Sequence, residues 1–574
     1  MRRTLITAAC AVVTATTALA VPASAGPNQA SGQASEYVVL YKDGVSLTDA
    51  RAAVKAAGGT IVRENADVGV ATVRSTDGGF AAQARQQGAL DGAAANRVIG
   101  RAPKTGKVAD QFAVEKEGRG QTTGTTTAKR GKKGEEPLAD LQWDMKQIRA
   151  TAKGSYRVEP GDRRVTVGII DTGVDGSHPD IAPNFDRKLS RNFTTDIPVD
   201  ANGAEIDGPC EDEPDKSCSD PADVDENEHG THVASTIASP RNGLGMAGVA
   251  PNVSIVNLRA GQDSGYFFLQ ATVDALTYAG KNGIDVVNMS YYVDPWLFNC
   301  ANNPADSPAD QAEQRTIIEA TNRALNFANR HGVTLVAAAG NEAIDYTETN
   351  IDAVSPGFAS EPGEQPYERT IPPSCLSLPG EGDHVIPVSS TGISERKSYY
   401  SSYGDGYIAV AAPGGDKYDT ADQKIDDKAG IWAAYPESIA RERGELNADG
   451  TPNTPRVVRS CKGGVCGYYQ SIQGTSMASP HAAGVAALIV SRYGKRDRAN
   501  GGLTMAPAAV RSVLTRTATA TKCPAGGSYT YTRQVKQADG SFEEVVTTHA
   551  CEGSKRRNGF YGAGIVDAFS AVRR

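Results

Sequence analysis

The sequence predicts an α/β protein: a doubly wound, mostly parallel sheet preceded by a small α+β unit with a ferredoxin-like order of elements. Two observations carry this expectation. Between residues 165 and 517, short strand-like runs alternate with helix-compatible segments, the pattern of a parallel sheet with helical crossovers. Upstream, residues 36–99 read β-α-β-β-α-β.

In order, Glu36 to Tyr41 is a strand, and Ser46 caps a helix through Ala57 that stops at Gly58-Gly59. Thr60 to Arg63 and Val68 to Arg74 are strands, Phe80 to Leu90 a helix, and Asn96 to Ile99 a last strand. Residues 103–136 hold few large apolar residues. They carry a Gly/Thr-rich stretch at 121–127 and the basic run Lys129-Arg130-Gly131-Lys132-Lys133, which together read as a linker, solvated or open to cleavage. Further strands are expected at 165–170, 253–258, 285–289, 333–338, 384–388 and 407–412, and helices at 230–238, 267–282, 312–330, 478–492 and 506–517. In doubly wound sheets, sites gather at the carboxyl ends of strands.

Composition narrows the class. The 574 residues are 39% hydrophobic, and no run after the first 25 residues is long and apolar enough to span a bilayer. Met1-Arg2-Arg3, an Ala/Val/Thr/Leu stretch and Ala23-Ser24-Ala25 before Gly26 have the form of a secretory signal cut after Ala25. The residues after the arginine pair fit the general export route better than a twin-arginine signal. Residues 1–136 hold 18 Lys and Arg against 12 Asp and Glu, the remainder 41 against 55. The acidic body argues against a nucleic-acid partner.

Of nine cysteines Cys10 leaves with the signal, and the other eight suit an oxidising compartment. Eight cysteines allow 105 connectivities. Short loops close most easily, so neighbour pairing is expected: 210 with 218, 300 with 375, 461 with 466, 523 with 551. A zinc site at Cys461 and Cys466 lacks a second pair of ligands.

Four short patterns carry chemistry. Gly474-Thr475-Ser476-Met477-Ala478-Ser479-Pro480-His481 delivers a serine onto the first turn of an apolar helix, where backbone N–H groups point at whatever Ser476 attacks. A serine hydroxyl needs a base. Asn227-Glu228-His229-Gly230-Thr231-His232 offers one, and the strand through Ile170 ends at Asp171-Thr172-Gly173. Val333 to Ala339 is a buried-strand pattern ending in Gly340-Asn341. Singly, each has a plain reading: a turn, a core histidine, a helix cap. Jointly they fall in the order Asp, His, Ser.

In these residues the sequence resembles the subtilisin-like serine peptidases, the subtilases. Resemblance begins at Trp143 to Ala150 and continues to Tyr561-Gly562-Ala563-Gly564-Ile565-Val566-Asp567-Ala568. It implies a signal at 1–25, an inhibitor-type propeptide at 26–102, a linker at 103–136 and a catalytic domain at 137–574. It also implies a secreted, monomeric, self-processing endopeptidase acting on proteins or peptides, inhibited by its own propeptide and without a membrane anchor. By the same resemblance Ser476 is the nucleophile, His229 the general base and Asp171 its partner, with Asn341 and the Ser476 N–H forming the oxyanion hole. His232 is expected as a structural companion behind the site.

Ser290, Tyr291 and Tyr292 occupy the strand that lines the substrate groove, where the family commonly has Ser-Leu-Gly. Two readings stay open for the tyrosines: they narrow a pocket or stack on a substrate ring, or they pack under the 291–312 insertion. No cofactor is expected for catalysis. Asp180 and the loop from Asn242 match positions that carry structural calcium in many subtilases, though no clean third ligand stands near Ala139 or Asp140. The acidic stretch from Asp220 to Glu228 is either a solvated loop or a second ion site. Insertions at 196–226, 291–312, 343–382 and 415–460 are expected around the cleft. Two other classes fit less well. An inactive binding protein on the same scaffold would lack catalytic residues, and none is missing. A serine esterase would need G-x-S-x-G at the nucleophile.

Overall fold

The structure, a computed structural model, describes residues 34–96, 113–120, 124–126, 131, 134–199, 206–213, 216–355 and 368–573. The expected signal at 1–25 lies outside them.

The N-terminal unit is an antiparallel sheet of β1 (Ser35–Tyr41), β2 (Thr60–Asn65), β3 (Val70–Ser75) and β4 (Leu90–Ala95) in the order β2-β3-β1-β4, with helices α1 (Leu47–Ala56) and α2 (Phe80–Arg85). Alternation along β1 explains its unbroken apolar run. Tyr37 and Val39 pack on Val54 and Phe80 of the unit's own helices, while Val38 and Leu40 turn the other way, into a core shared with the body. The last strand differs from the expectation. Among the described residues the unit's last strand is Leu90–Ala95; of the expected Asn96 to Ile99, residues 97–99 lie outside the described residues, and Phe80 to Leu90 is helical only to Arg85. Downstream, α3 (Ala113–Lys116) belongs to the stretch read as linker, yet residues 113–119 pack against the body.

The body is built on a seven-stranded, wholly parallel sheet. Its strands are β5 (Thr166–Ile170), β6 (Arg191–Asn192), β7 (Ser254–Arg259), β8 (Val286–Met289), β9 (Thr334–Ala338), β10 (Ile386–Thr391) and β11 (Val410–Pro413), in the order β11-β10-β9-β8-β5-β7-β6. Helices cover both faces. α4 (His229–Ala238) and α7 (Thr475–Tyr493) share one core, α5 (Leu269–Lys281) and α6 (Pro308–Arg330) the other. α6 begins with Ser307 and Asp310 in a reciprocal capping box and Pro308 in its first turn. α7 is buried on all sides from Thr475 to Val490, so small and apolar residues are what its sequence can hold. The sheet order turns at β5, which lies between β7 and β8, and the site lies at its carboxyl end.

Two additions flank this body. β12 (Ile431–Tyr435), β13 (Val457–Lys462) and β14 (Val465–Ile472) form an antiparallel sheet leading into α7. β15 (Ser528–Lys536) and β16 (Phe542–Ala550) form a hairpin. The four disulfides join the neighbours expected. Among the described residues no helix is long and apolar enough to cross a membrane.

Candidate active site

Asp171 is the first residue after β5 and is fully buried. It accepts from its neighbour's Thr172 N at 2.8 Å and from His229 Nδ1 at 2.6 Å. The second bond sets the imidazole so that Nε2 faces the cleft. His229 opens α4 because Asp225, itself buried, accepts from Thr231 N and Oγ1 at 2.9 and 2.5 Å and from Glu228 N. The acidic stretch is therefore neither simply solvated nor arranged for an ion at Asp225: that carboxylate caps the helix that carries the histidine.

Glu228, just before His229, has φ +89, uncommon for a residue with a side chain. Its buried carboxylate is clamped by Arg443 at 2.5 Å and by Arg119 of the N-terminal segment. Burial alone would raise the Glu228 pKa, but the two guanidinium groups outweigh it and leave it below its ordinary value. From that same segment Glu115 Oε2 stands 3.3 Å from His229 Nε2. Burial disfavours the imidazolium, yet Asp171 and Glu115 together hold the His229 pKa well above its ordinary value. His232, by contrast, is buried with Nε2 on Ile431 O at 3.0 Å, and burial drives its pKa down to about 3. It is a neutral packing residue.

Ser476 lies in the first turn of α7. Pro480, four residues on, has no N–H, so the Ser476 carbonyl lacks its usual helical donor. Ser290 Oγ takes that place, donating to Ser476 O at 3.1 Å, while Ser476 Oγ donates to Ser290 O at 3.4 Å. Ser290 is also tied to Asn288 Nδ2 and Ser479 Oγ, each at 2.8 Å. Expected as a groove residue, it straps the serine turn to β8.

Asn341 follows β9 through Gly340, whose φ of +97 a side chain would resist. Its Oδ1 accepts from Thr475 N and Oγ1 at 2.9 and 2.8 Å. That fixes the amide with N–H as what it offers the cleft. Ser290, Tyr291, Tyr292, Asn341, Glu342 and Ser476 line one pocket beside the serine. The tyrosine rings are mostly occupied elsewhere. Tyr291 stacks on Phe267 at 4.0 Å between centroids, and Tyr292 packs with Leu297, Phe298 and Tyr346. They wall the pocket from inside the core, so packing beneath the insertion is the reading the structure favours over stacking on a substrate ring.

Asp180 and Asn242 do not fit calcium. Asp180 accepts from Asn242 Nδ2 at 2.8 Å, Tyr469 Oη at 2.7 Å and Met246 N at 3.1 Å, and burial raises its pKa to about 7. Of the loop carbonyls, Gly245 O takes Leu138 N, Ala247 O takes Gln142 Nε2, and the Lys462 ammonium donates to Asn242 O. N–H and O–H donors already fill the positions that oxygen ligands would turn to a cation.

Glu115, Glu117 and Arg119 were missed in the sequence. Their one signal was a short charged run amid polar residues, which does not say what it packs on.

Residues 162–564 match the model of the subtilase family, which is most of the chain. The chain belongs to the subtilase family. It is 29% identical over 355 residues to subtilisin DY of Bacillus licheniformis, spanning 62% of this chain and 84% of that protein. It is 26% identical over 368 residues to the epidermin leader peptide-processing serine protease of Staphylococcus epidermidis, spanning 64% and 68%. In fold it is similar to the epidermin leader peptide-processing serine protease of Staphylococcus aureus, with TM-score 0.57, 22% identity and coverage of 94% and 98%. Fervidolysin of Fervidobacterium pennivorans gives TM-score 0.53, 22% identity and coverage of 94% and 61%. The chain is thus a serine endopeptidase, of a family that needs no cofactor for catalysis.

Proposed function

We propose that this endopeptidase is secreted as a self-processing zymogen and cuts peptide bonds through Ser476, His229 and Asp171. The observation that carries the reading is the 2.6 Å contact of Asp171 with His229 Nδ1, with Ser476 strapped to Ser290 at the start of α7. Ser476 Oγ attacks the scissile carbonyl. His229 Nε2 takes its proton and returns it to the leaving amine, while Asp171 holds the tautomer and stabilises the imidazolium. Asn341 Nδ2 and the Ser476 N–H donate to the oxyanion, and loss of one such donor costs about 10² to 10³ in turnover. Water then releases the acyl group.

The zymogen reading is supported by the N-terminal unit docked on α5 and α6 and by Glu115 standing over His229. Disulfides and the signal-like start support export. The test is N-terminal sequencing and intact mass of the secreted product, wild type beside Ser476→Ala. Wild type is expected to lose residues up to a point between 100 and 140, and the variant to keep them. Two products cut alike would withdraw self-processing, and full turnover by Ser476→Ala would remove Ser476 from its role.

A further inference from the structure

Glu117 fills a pocket beside the catalytic residues. Its Oε1 accepts from Tyr418 Oη at 3.1 Å and faces Arg533 Nη1 at 3.5 Å. Its Oε2 accepts from Gln473 Nε2 at 3.2 Å and from Tyr399 Oη. The Arg533 guanidinium carbon lies over the Tyr399 ring, 3.9 Å from its centroid, and over the Tyr418 ring at 5.3 Å. Tyr399, Tyr418 and Gln473 are buried. The four donors come from separate parts of the chain: two from loops after β10 and β11, one from the turn before Ser476, one from hairpin β15–β16.

Each phenol has one O–H to donate, and both go to Glu117. A planar guanidinium, two hydroxyls and an amide converging on one carboxylate make a charge-assisted, shape-selective site. Its occupant comes from the segment packed across the catalytic residues, not from the body.

The position of the pocket assigns its use. The pocket walled by Ser290, Asn341 and Tyr292 at Ser476 has no lining residue from the 114–119 segment. That segment packs instead at His229 and Gln473. Glu115 faces His229 Nε2, the nitrogen that protonates the leaving amine, and Gln473 Nε2 donates to the main-chain Val114 O at 3.3 Å. A substrate chain leaving the serine on the His229 side passes over the same groups.

Resting on the endopeptidase reading above, we propose that Tyr399, Tyr418, Gln473 and Arg533 form a leaving-group-side pocket selecting an acidic side chain of the substrate, filled by Glu117 in the uncut chain. The enzyme is then selective for peptides with a carboxylate shortly after the scissile bond.

The test uses the secreted, processed enzyme and internally quenched peptides of one acyl-side sequence, with Glu, Gln or Lys placed in turn at each of the first four positions after the scissile bond. At one position Glu is expected to exceed Gln by about tenfold in kcat/KM, with Lys below both. In Arg533→Met the Glu-to-Gln ratio falls to about one, and Arg533→Lys keeps part of it. If Arg533→Met does not fold, the wild-type series and Arg533→Lys decide. Equal rates for Glu and Gln at all four positions overturn the pocket alone, as does an unchanged ratio in Arg533→Met. Failure to cut any peptide overturns the endopeptidase reading, and the pocket with it.

Discussion

At the scale of single residues, the site is an arrangement of buried charges whose balance depends on the N-terminal segment. Two carboxylates, Asp171 and Glu115, face the two nitrogens of His229 and raise its pKa despite burial. A histidine raised above its unfolded value lends stability that is whole below about pH 6.5 and fades as pH climbs through the folded value. The mechanism proposed above needs the opposite state, because only a neutral imidazole accepts the Ser476 proton. Glu115→Gln removes one of the two carboxylates and lowers the His229 pKa. Self-processing in Glu115→Gln should therefore begin at lower pH than in wild type, read as cleaved fraction against pH. Superimposable profiles would mean that Glu115 does not govern the imidazole. The candidate residues Asp171, His229, Ser476 and Asn341 stand out in the sequence because each ends a strand or opens a helix within a short local pattern. Glu115, Tyr399 and Arg533 were not, because their meaning lies in contacts between residues up to several hundred positions apart.

At the scale of elements, the strands and helices expected in the body stand within a few residues of where periodicity puts them, since β-branched runs between helices leave little choice. β4 is the instructive exception. Its sequence, Leu90-Asp-Gly-Ala-Ala-Ala95, has no β-branched residue, because the strand lies close against α6: a Cβ on Gly92 would meet Thr316 Oγ1 at 2.3 Å. Packing there overrides propensity. Hairpin β15–β16 carries a local signal, Tyr529 and Tyr531 alternating with threonines and an Asp539-Gly540 turn, outside the strands expected above. The 291–312 and 343–382 insertions are tied together by a different device. Arg369 is fully buried, bonded to Asp306 Oδ2 at 2.9 Å, Asp352 Oδ2 at 2.6 Å and Phe298 O at 2.8 Å. Arg369→Met leaves two buried carboxylates without their cation and should cost about 3–5 kcal/mol. The exposed pair Arg164 and Asp162 is the control, since its loss should leave stability nearly unchanged. Denaturant unfolding of both variants checks the contrast, and similar midpoints would show the buried cluster to be energetically idle.

At the scale of the whole molecule, the question is what holds the N-terminal unit on the body. Ion pairs cross the interface: Lys281 with Asp67 at 2.7 Å, Arg323 with Asp91 at 2.9 Å and Asp43 at 3.2 Å, and Arg63 with Asp274 at 2.9 Å. Each has at least one well-exposed partner, so each contributes about 1 kcal/mol or less and weakens with salt. The apolar contact of Val38, Leu40, Val68 and Val70 with α5 and α6 is not screened. Asn65 is buried within it, its Nδ2 donating to Asp274 Oδ1 at 2.8 Å and Thr277 Oγ1 at 2.6 Å. Asn65→Leu removes that donor from beneath a carboxylate and should destabilise docking by about 1–3 kcal/mol, roughly a five- to hundredfold rise in the open population. In the uncut Ser476→Ala chain, amide exchange of β3 and α5 should therefore quicken strongly with Asn65→Leu and only slightly between low and high salt. The reverse order, strong salt dependence and an indifferent Asn65→Leu, would place the hold in the ion pairs. On the zymogen reading proposed above, the first outcome means a unit held by a buried seam that must be parted or cut, the second a unit that ionic strength can release.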